Sequence, residues 1–230
     1  MKQETQKSSC AIPADIFRRI FLYTIIGEFA DGVYGAKRLQ KIAYLAERGR
    51  GIIKPFTYKK YYYGQYSEQV QDTNEQLLSL GFVKAFPLNA IRKTTITIDD
   101  DTYESIEQGN GYKISDQQML RTCESIVIKT QPRLMQATKE AIRDHGYKKE
   151  EDLIDYCYRL KEFKDKDDEE VIFESNLPKW VETPDLSNDK RDELILSLTP
   201  SFIDFANKIV EGFEKTTINW NKVAKVVLKV

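Results

Sequence analysis

One histidine (His145) and three cysteines (Cys10, Cys123, Cys157) are all the imidazole and thiol groups that this 230-residue chain has. A structural zinc site needs four such ligands at close paired spacing, and that spacing is missing. The odd, sparse cysteine count also excludes a disulfide framework and points to a reducing compartment. Long hydrophobic runs are lacking too. The longest, 16–26, is interrupted by Arg18, Arg19 and Thr24 and is too short to span a bilayer. It has neither a basic lead-in passing directly to a clean apolar core nor a small-residue cleavage site, so no export signal is read. It is expected to be a buried helix of a cytoplasmic protein with no membrane partner. Charge of one sign is not in excess: 35 Lys+Arg against 36 Asp+Glu leave a net charge of −1. A chain whose whole surface bound nucleic acid would be basic.

What is present describes a globular protein with a charged surface: 41% of residues are hydrophobic and 31% charged. Residues 1–11 are polar and read as a loose tail. Pro13 suits the first turn of a helix, and Ile16, Phe17, Ile20, Phe21, Thr24 and Ile25 recur at helical spacing. A second helix is expected over 36–48, with Leu39, Ile42, Ala43 and Ala46 on its buried face. Residues 52–66 are rich in aromatics and favour a strand. Ser67 is a credible N-cap for a third helix reaching Leu80, with Gly81 after its end. Short strands are expected at 82–83, 95–98 and 111–114, closing a two-stranded hairpin. Ser115 reads as the next cap, followed by helices over 116–130, 132–144 and 148–162. The charge run 161–170 reads as a solvated loop, 174–189 as an irregular connector, and 190–213 and 219–230 as helices.

The fold class expected is mainly α with a small β-hairpin. The order over 12–115 is that of a winged helix-turn-helix domain. Residues 116–230 form a mostly helical region that either stands alone or packs onto the first part.

Three stretches carry a resemblance. They are Lys37-Arg38-Leu39-Gln40-Lys41-Ile42-Ala43-Tyr44-Leu45, then Tyr61-Tyr62-Tyr63-Gly64-Gln65-Tyr66-Ser67, then Leu77-Leu78-Ser79-Leu80-Gly81-Phe82-Val83. The set resembles the YwgA-like and Panacea (SocA-type antitoxin) families over 13–115. Those families share Leu-Gln-Lys-x-x-Tyr, then Tyr-x-Tyr-Gly-Pro-Tyr-Ser, then a helix ending in Leu-Gly-Leu-Ile. This chain departs from them at Gln65, where the pattern has Pro. The resemblance implies a bacterial or phage-associated winged-helix protein of a toxin–antitoxin system, which neutralises a partner toxin by binding it. Some related winged-helix proteins regulate transcription on DNA instead.

Read for themselves, Lys37 and Lys41 stand four apart on one helix side, available to phosphate or acidic partners. Tyr61, Tyr63 and Tyr66 offer rings with polar tips, a residue type enriched at protein interfaces. Against this, the lysines would serve equally as solvated charges, and a strand buries alternate tyrosines. These five residues are the expected partner-binding set.

DNA readout by the third helix is disfavoured. It carries Glu68, Asp72 and Glu75 and no Lys or Arg, whereas DNA affinity rests on phosphate neutralisation. Residues 1–65 hold 12 Lys/Arg and 5 Asp/Glu, and 66–110 hold 3 and 8. DNA binding therefore stands as the alternative, through the basic face of Arg18, Arg19, Lys37, Lys41, Arg48, Arg50, Lys59 and Lys60. Residues 147–193 are acidic, with 9 Lys/Arg and 16 Asp/Glu, which would suit masking of a basic partner surface.

No catalytic constellation is found, and no metal or other cofactor is expected. His145 ends a helix, where the macrodipole favours it. Cys123 and Cys157 lie among apolar neighbours, as inert thiols do. No Gly-rich loop is followed by Lys-Ser/Thr. The function expected is a non-catalytic, antitoxin-like protein-binding module. The composition does not fix its oligomeric state.

Overall fold

A computed structural model describes residues 11–61, 64–98, 101–183 and 186–199, with backbone alone over 89–108. The chain opens with strand β1 (Ala11–Pro13), which feeds helix α1 (Ala14–Gly27). Pro13 sits just ahead of the helix at φ −59° and ψ 149°, one place before its expected position in the first turn. Ile16, Phe17, Ile20, Phe21, Leu22, Tyr23, Ile25 and Ile26 are all buried. A helix that is apolar on every side belongs at a centre, and α1 is packed by α3 (Glu68–Ser79), α4 (Gln117–Thr130) and the β1 edge.

Helix α2 (Ala36–Glu47) follows and packs against α5 (Pro132–Ala141) and α6 (Glu150–Tyr158). Where one strand was expected over 52–66, there are two, β2 (Tyr58–Tyr61) and β3 (Gly64–Tyr66), paired antiparallel with Lys60 opposite Gln65. Ser67 caps α3 as expected, its hydroxyl accepting from the Val70 N–H, and Gly81 follows the helix at φ +78°. The expected short strands are parts of one ribbon, β4 (Val83–Ile98) with β5 (Asp101–Ile114), irregular between Pro87 and Ile91.

The second half differs more. Helix α5 ends in a π-helical turn (Ile142–Gly146). The expected helix over 148–162 breaks after Tyr158, and α7 (Lys161–Lys164) begins inside the run read as a solvated loop. Phe163 is buried there, so one apolar side chain anchors an otherwise charged segment. Strand β6 (Val171–Phe173) lies between that run and the expected connector, and β7 (Trp180–Glu182) lies inside the connector. β6 completes a three-stranded sheet beside β2, and β7 pairs with β1. Helix α8 (Asn188–Leu198) starts where one was expected. The residues beyond 199, the 219–230 helix and the first ten residues lie outside the described set.

The architecture is thus mainly helical with small antiparallel sheets. Buried residues from both halves, from Ile12 to Leu198, form one hydrophobic core. No helix among the described residues is long and apolar enough to cross a membrane.

The cap of α4 is Asp116 rather than Ser115. Its carboxylate accepts from the N–H groups of Gln118 (2.7 Å) and Met119 (3.0 Å), while the Ser115 hydroxyl bonds the carbonyls of Gly81 and Phe82. Asp116→Ala is expected to cost about 1 kcal/mol of stability, read by urea unfolding.

Candidate functional site

Helix α2 turns Lys37, Gln40 and Lys41 to one side because residues three and four apart share a face. Strand β3 is laid along that side. The Lys41 ammonium donates to the Gln65 carbonyl at 2.8 Å. Gln40 and Ser67 exchange two hydrogen bonds, side-chain N–H to carbonyl and backbone N–H to Oε1, each 2.9 Å. Gly64 is required here. It holds φ +95°, and a Cβ on it would stand 3.0 Å from Lys41 Nζ. The Gln65 amide reaches the other way and donates to the Cys157 carbonyl of α6 at 3.1 Å.

Between α2, the β2–β3 hairpin, α3 and the base of the ribbon lies a cleft of about 490 Å³. Lys37, Lys41, Tyr61 and Tyr66 all line it, over apolar walls from Leu39, Val70, Leu78 and Ala85. Volume and lining are those of sites that take a ligand or a partner's side chain. The rings of Tyr61 and Tyr66 lie 5.4 Å apart, tilted by 35°. The Tyr66 hydroxyl bonds Gln71 Oε1, and Gln71 Nε2 donates to Glu75 at 2.9 Å, forming a polar rim along α3. Tyr63, the fifth residue of the expected set, lies outside the described residues.

The lysines are not the pair of surface charges that spacing alone predicts. Lys41 is 2% exposed, and burial pushes its ammonium down to about 8. Lys37 is half-buried, with Glu150 at 3.9 Å. Tyr61, at 43% exposed, is the most open of the four. The basic face is largely engaged as well. Arg18, Arg48 and Lys60 bond Pro55, Glu162 and Lys166, which lie 37, 114 and 106 residues further along the chain. Arg19 is buried against Gln76 and Asp15. On α3, Glu68, Asp72 and Glu75 are exposed, so its solvent face is acidic. Gln69 is turned inward and accepts from the Thr57 N–H.

Sequence reasoning did not place Gln40, Gln65, Asn74 or Tyr112 in a site with the lysines. Gln40 stands inside the Leu-Gln-Lys stretch and Gln65 is the departure already noted, so both carried a signal. Asn74 and Tyr112 carried none: they are 38 residues apart in sequence and come together only when the ribbon returns to α3. Asn74 hydrogen-bonds the Tyr112 side chain. Two buried oxygens in this region, Gln65 Oε1 and Asn74 Oδ1, have no hydrogen-bond partner among the described residues.

Nothing else in the described residues assembles as a reactive centre. Burial raises the thiols of Cys123 and Cys157 to about 12 and about 11, so both are protonated at neutral pH. The His145 ring lies against that of Tyr156, centroids 4.2 Å apart and tilted by 33°. Burial and Lys148 hold its imidazole below the usual histidine range, so the charged form that a helix end favours is opposed here. No group of three or more metal-ligating side chains occurs among the described residues. Compared with known proteins, the chain matches no family model, no curated protein and no solved structure.

Proposed function

We propose that this chain is a non-catalytic protein-binding module of the antitoxin type, which neutralises or recruits a partner protein by direct binding at the α2–β3–α3 cleft. The observation that carries the reading is the convergence of Lys37, Lys41, Tyr61 and Tyr66 on one apolar-walled cleft. The winged-helix part of the reading is supported by the order α1, α2, β2–β3, α3, then the β4–β5 ribbon. The acidic exposed face of α3 weighs against DNA as the partner, since a phosphate-lined groove repels it.

The test is a pull-down with the tagged full chain from its native host, with and without nuclease, read by mass spectrometry. A stoichiometric protein that survives nuclease supports the reading. Recovery of DNA with no protein replaces it with a winged-helix transcriptional regulator. The Tyr61→Ala/Tyr66→Ala double variant is expected to lose partner affinity at least tenfold, because aromatic anchors at an interface carry roughly 2 kcal/mol or more each. Its unfolding midpoint should stay close to wild type, given the exposure of Tyr61. Unchanged binding in the folded double variant would remove the cleft from the reading.

A further inference from the structure

A buried oxygen without a donor is costly, and native structures hold few of them. Here two occur together, Gln65 Oε1 and Asn74 Oδ1, on side chains that are 0% and 6% exposed, and both residues line the same cleft. Their amide nitrogens are already committed, to the Cys157 carbonyl and to Tyr112. The two oxygens are closed to solvent in the free chain, so these side chains become acceptors for N–H donors in the cleft by turning toward it. It also holds the Lys41 ammonium, whose bond to the Gln65 carbonyl uses one of three N–H groups. The walls between are apolar.

A ligand that satisfies all of this carries N–H donors, a carbonyl or carboxylate acceptor, and a sizeable apolar group. A peptide unit with a large aliphatic or aromatic side chain has that composition. A helix does not, because its amides are already paired within it. We propose that the cleft takes an extended segment of the partner, with one large apolar side chain seated between Leu39, Val70 and Leu78 and its main-chain N–H groups bonded to Gln65 and Asn74. This rests on the protein-binding reading above and names the chemistry that the partner brings.

The probe is a capped dipeptide, acetyl-Phe-Leu-amide, titrated into the full-length chain labelled with nitrogen-15. The side-chain amide groups of Gln65 and Asn74 report directly in the two-dimensional spectrum. Saturable shifts at both are expected. The same peptide with methylated amide nitrogens should bind at least tenfold more weakly, as loss of a hydrogen bond to a buried group costs about 1–3 kcal/mol. Asn74→Leu, of nearly equal volume, should shrink that discrimination, and Gln65→Met should do the same. Adenosine monophosphate is the control ligand. Equal affinity for the methylated peptide, shifts confined to other residues, or tighter binding of the nucleotide would overturn the inference. The two proposals fail separately. A captured partner that tolerates Asn74→Leu but not Tyr61→Ala/Tyr66→Ala leaves the binding reading standing and removes the peptide geometry. A chain that captures no protein but binds the peptide at Gln65 and Asn74 does the reverse.

Discussion

Glu47→Ala is expected to lower the free energy of unfolding by about 3 kcal/mol, whereas Glu47→Gln should be close to neutral at pH 7. Glu47 is the last residue of α2 and is 0% exposed. Its two oxygens are bonded to the Phe56 N–H at 3.0 Å and the Tyr58 hydroxyl at 3.1 Å. Removing the carboxyl leaves both groups buried without a partner, and each orphan costs about 1–3 kcal/mol. Glutamine keeps an oxygen for the N–H and offers its NH₂ to the hydroxyl.

The pH dependence separates the two variants further. Burial raises the Glu47 carboxyl well above the usual carboxylate range, against the opposing pull of those hydrogen bonds and of Lys54 and Arg18. Below the unfolded value near 4.5 both states hold the proton, and the group contributes no pH dependence. Above it, the unfolded chain releases the proton before the folded one does, so stability falls as pH rises toward the folded value. Glu47→Gln should abolish that fall. Urea unfolding of wild type and both variants from pH 4 to pH 8 checks it, and a steeper decline in Glu47→Gln than in wild type would refute the assignment.

Lys41 gives the second large effect, at the other end of the pH scale. Its ammonium is lowered to about 8 from 10.5, first by burial and further by Lys37, against the opposing influence of Cys157 and Glu150. Above 10.5 the amine is neutral in both states. Between about 8 and 10.5 the unfolded chain binds a proton that the folded chain does not, so stability rises with pH across that window. Below 8 the penalty is constant, at about 3 kcal/mol for the whole gap. Wild type minus Lys41→Met should therefore climb by about that amount between pH 8 and pH 10.5. The difference matters because Tyr23, Tyr44 and Tyr58 have raised values of their own and lower stability at high pH in both proteins. A flat difference across the window would show that the Lys41 ammonium is solvated.

The burial of Lys41 marks where sequence reasoning reaches its limit. The apolar positions of α2, Leu39, Ile42, Ala43 and Ala46, announce one buried face. In the fold every residue from Leu39 to Glu47 is buried, because α3, α5, α6 and β3 surround the helix. Gln40, Lys41 and Glu47 look like surface residues in a one-dimensional pattern. They are buried because their partners arrive from elsewhere, Ser67 from the cap of α3, Gln65 from β3 and Phe56 from the loop before β2, at positions that no periodicity of α2 encodes. Helices α1, α3 and α4 were legible to within a residue or two, since caps and a 3.6-residue period are local signals. The ribbon was legible only at 82–83, 95–98 and 111–114, because residue types such as Pro87 and Gly109 disfavour strands and the pairing itself is irregular between Pro87 and Ile91. Strands β6 and β7 carry strand-favouring residues, Val-Ile-Phe and Trp-Val, but are too short to show an alternation. Each is three residues long and exists only because β2 and β1 offer it an edge. Of the site, the residue types and the Lys-Tyr association were readable. The enclosing cleft and the two orphaned oxygens were not.

Those two late strands have a consequence for synthesis. Tyr58 and Phe173 face each other across the sheet, as do Ile12 and Val181. At about 5–20 residues added per second, Phe173 leaves the ribosome roughly 5–25 s after Tyr58. Through that interval the growing chain holds the edges of β1 and β2 without the strands that cover them, and open edges invite pairing with neighbouring chains. Chaperone capture, or pausing of translation before residue 171, would therefore act on this protein mainly during that interval, and ribosome-bound chains stopped at residue 165 should aggregate more readily than those released at full length.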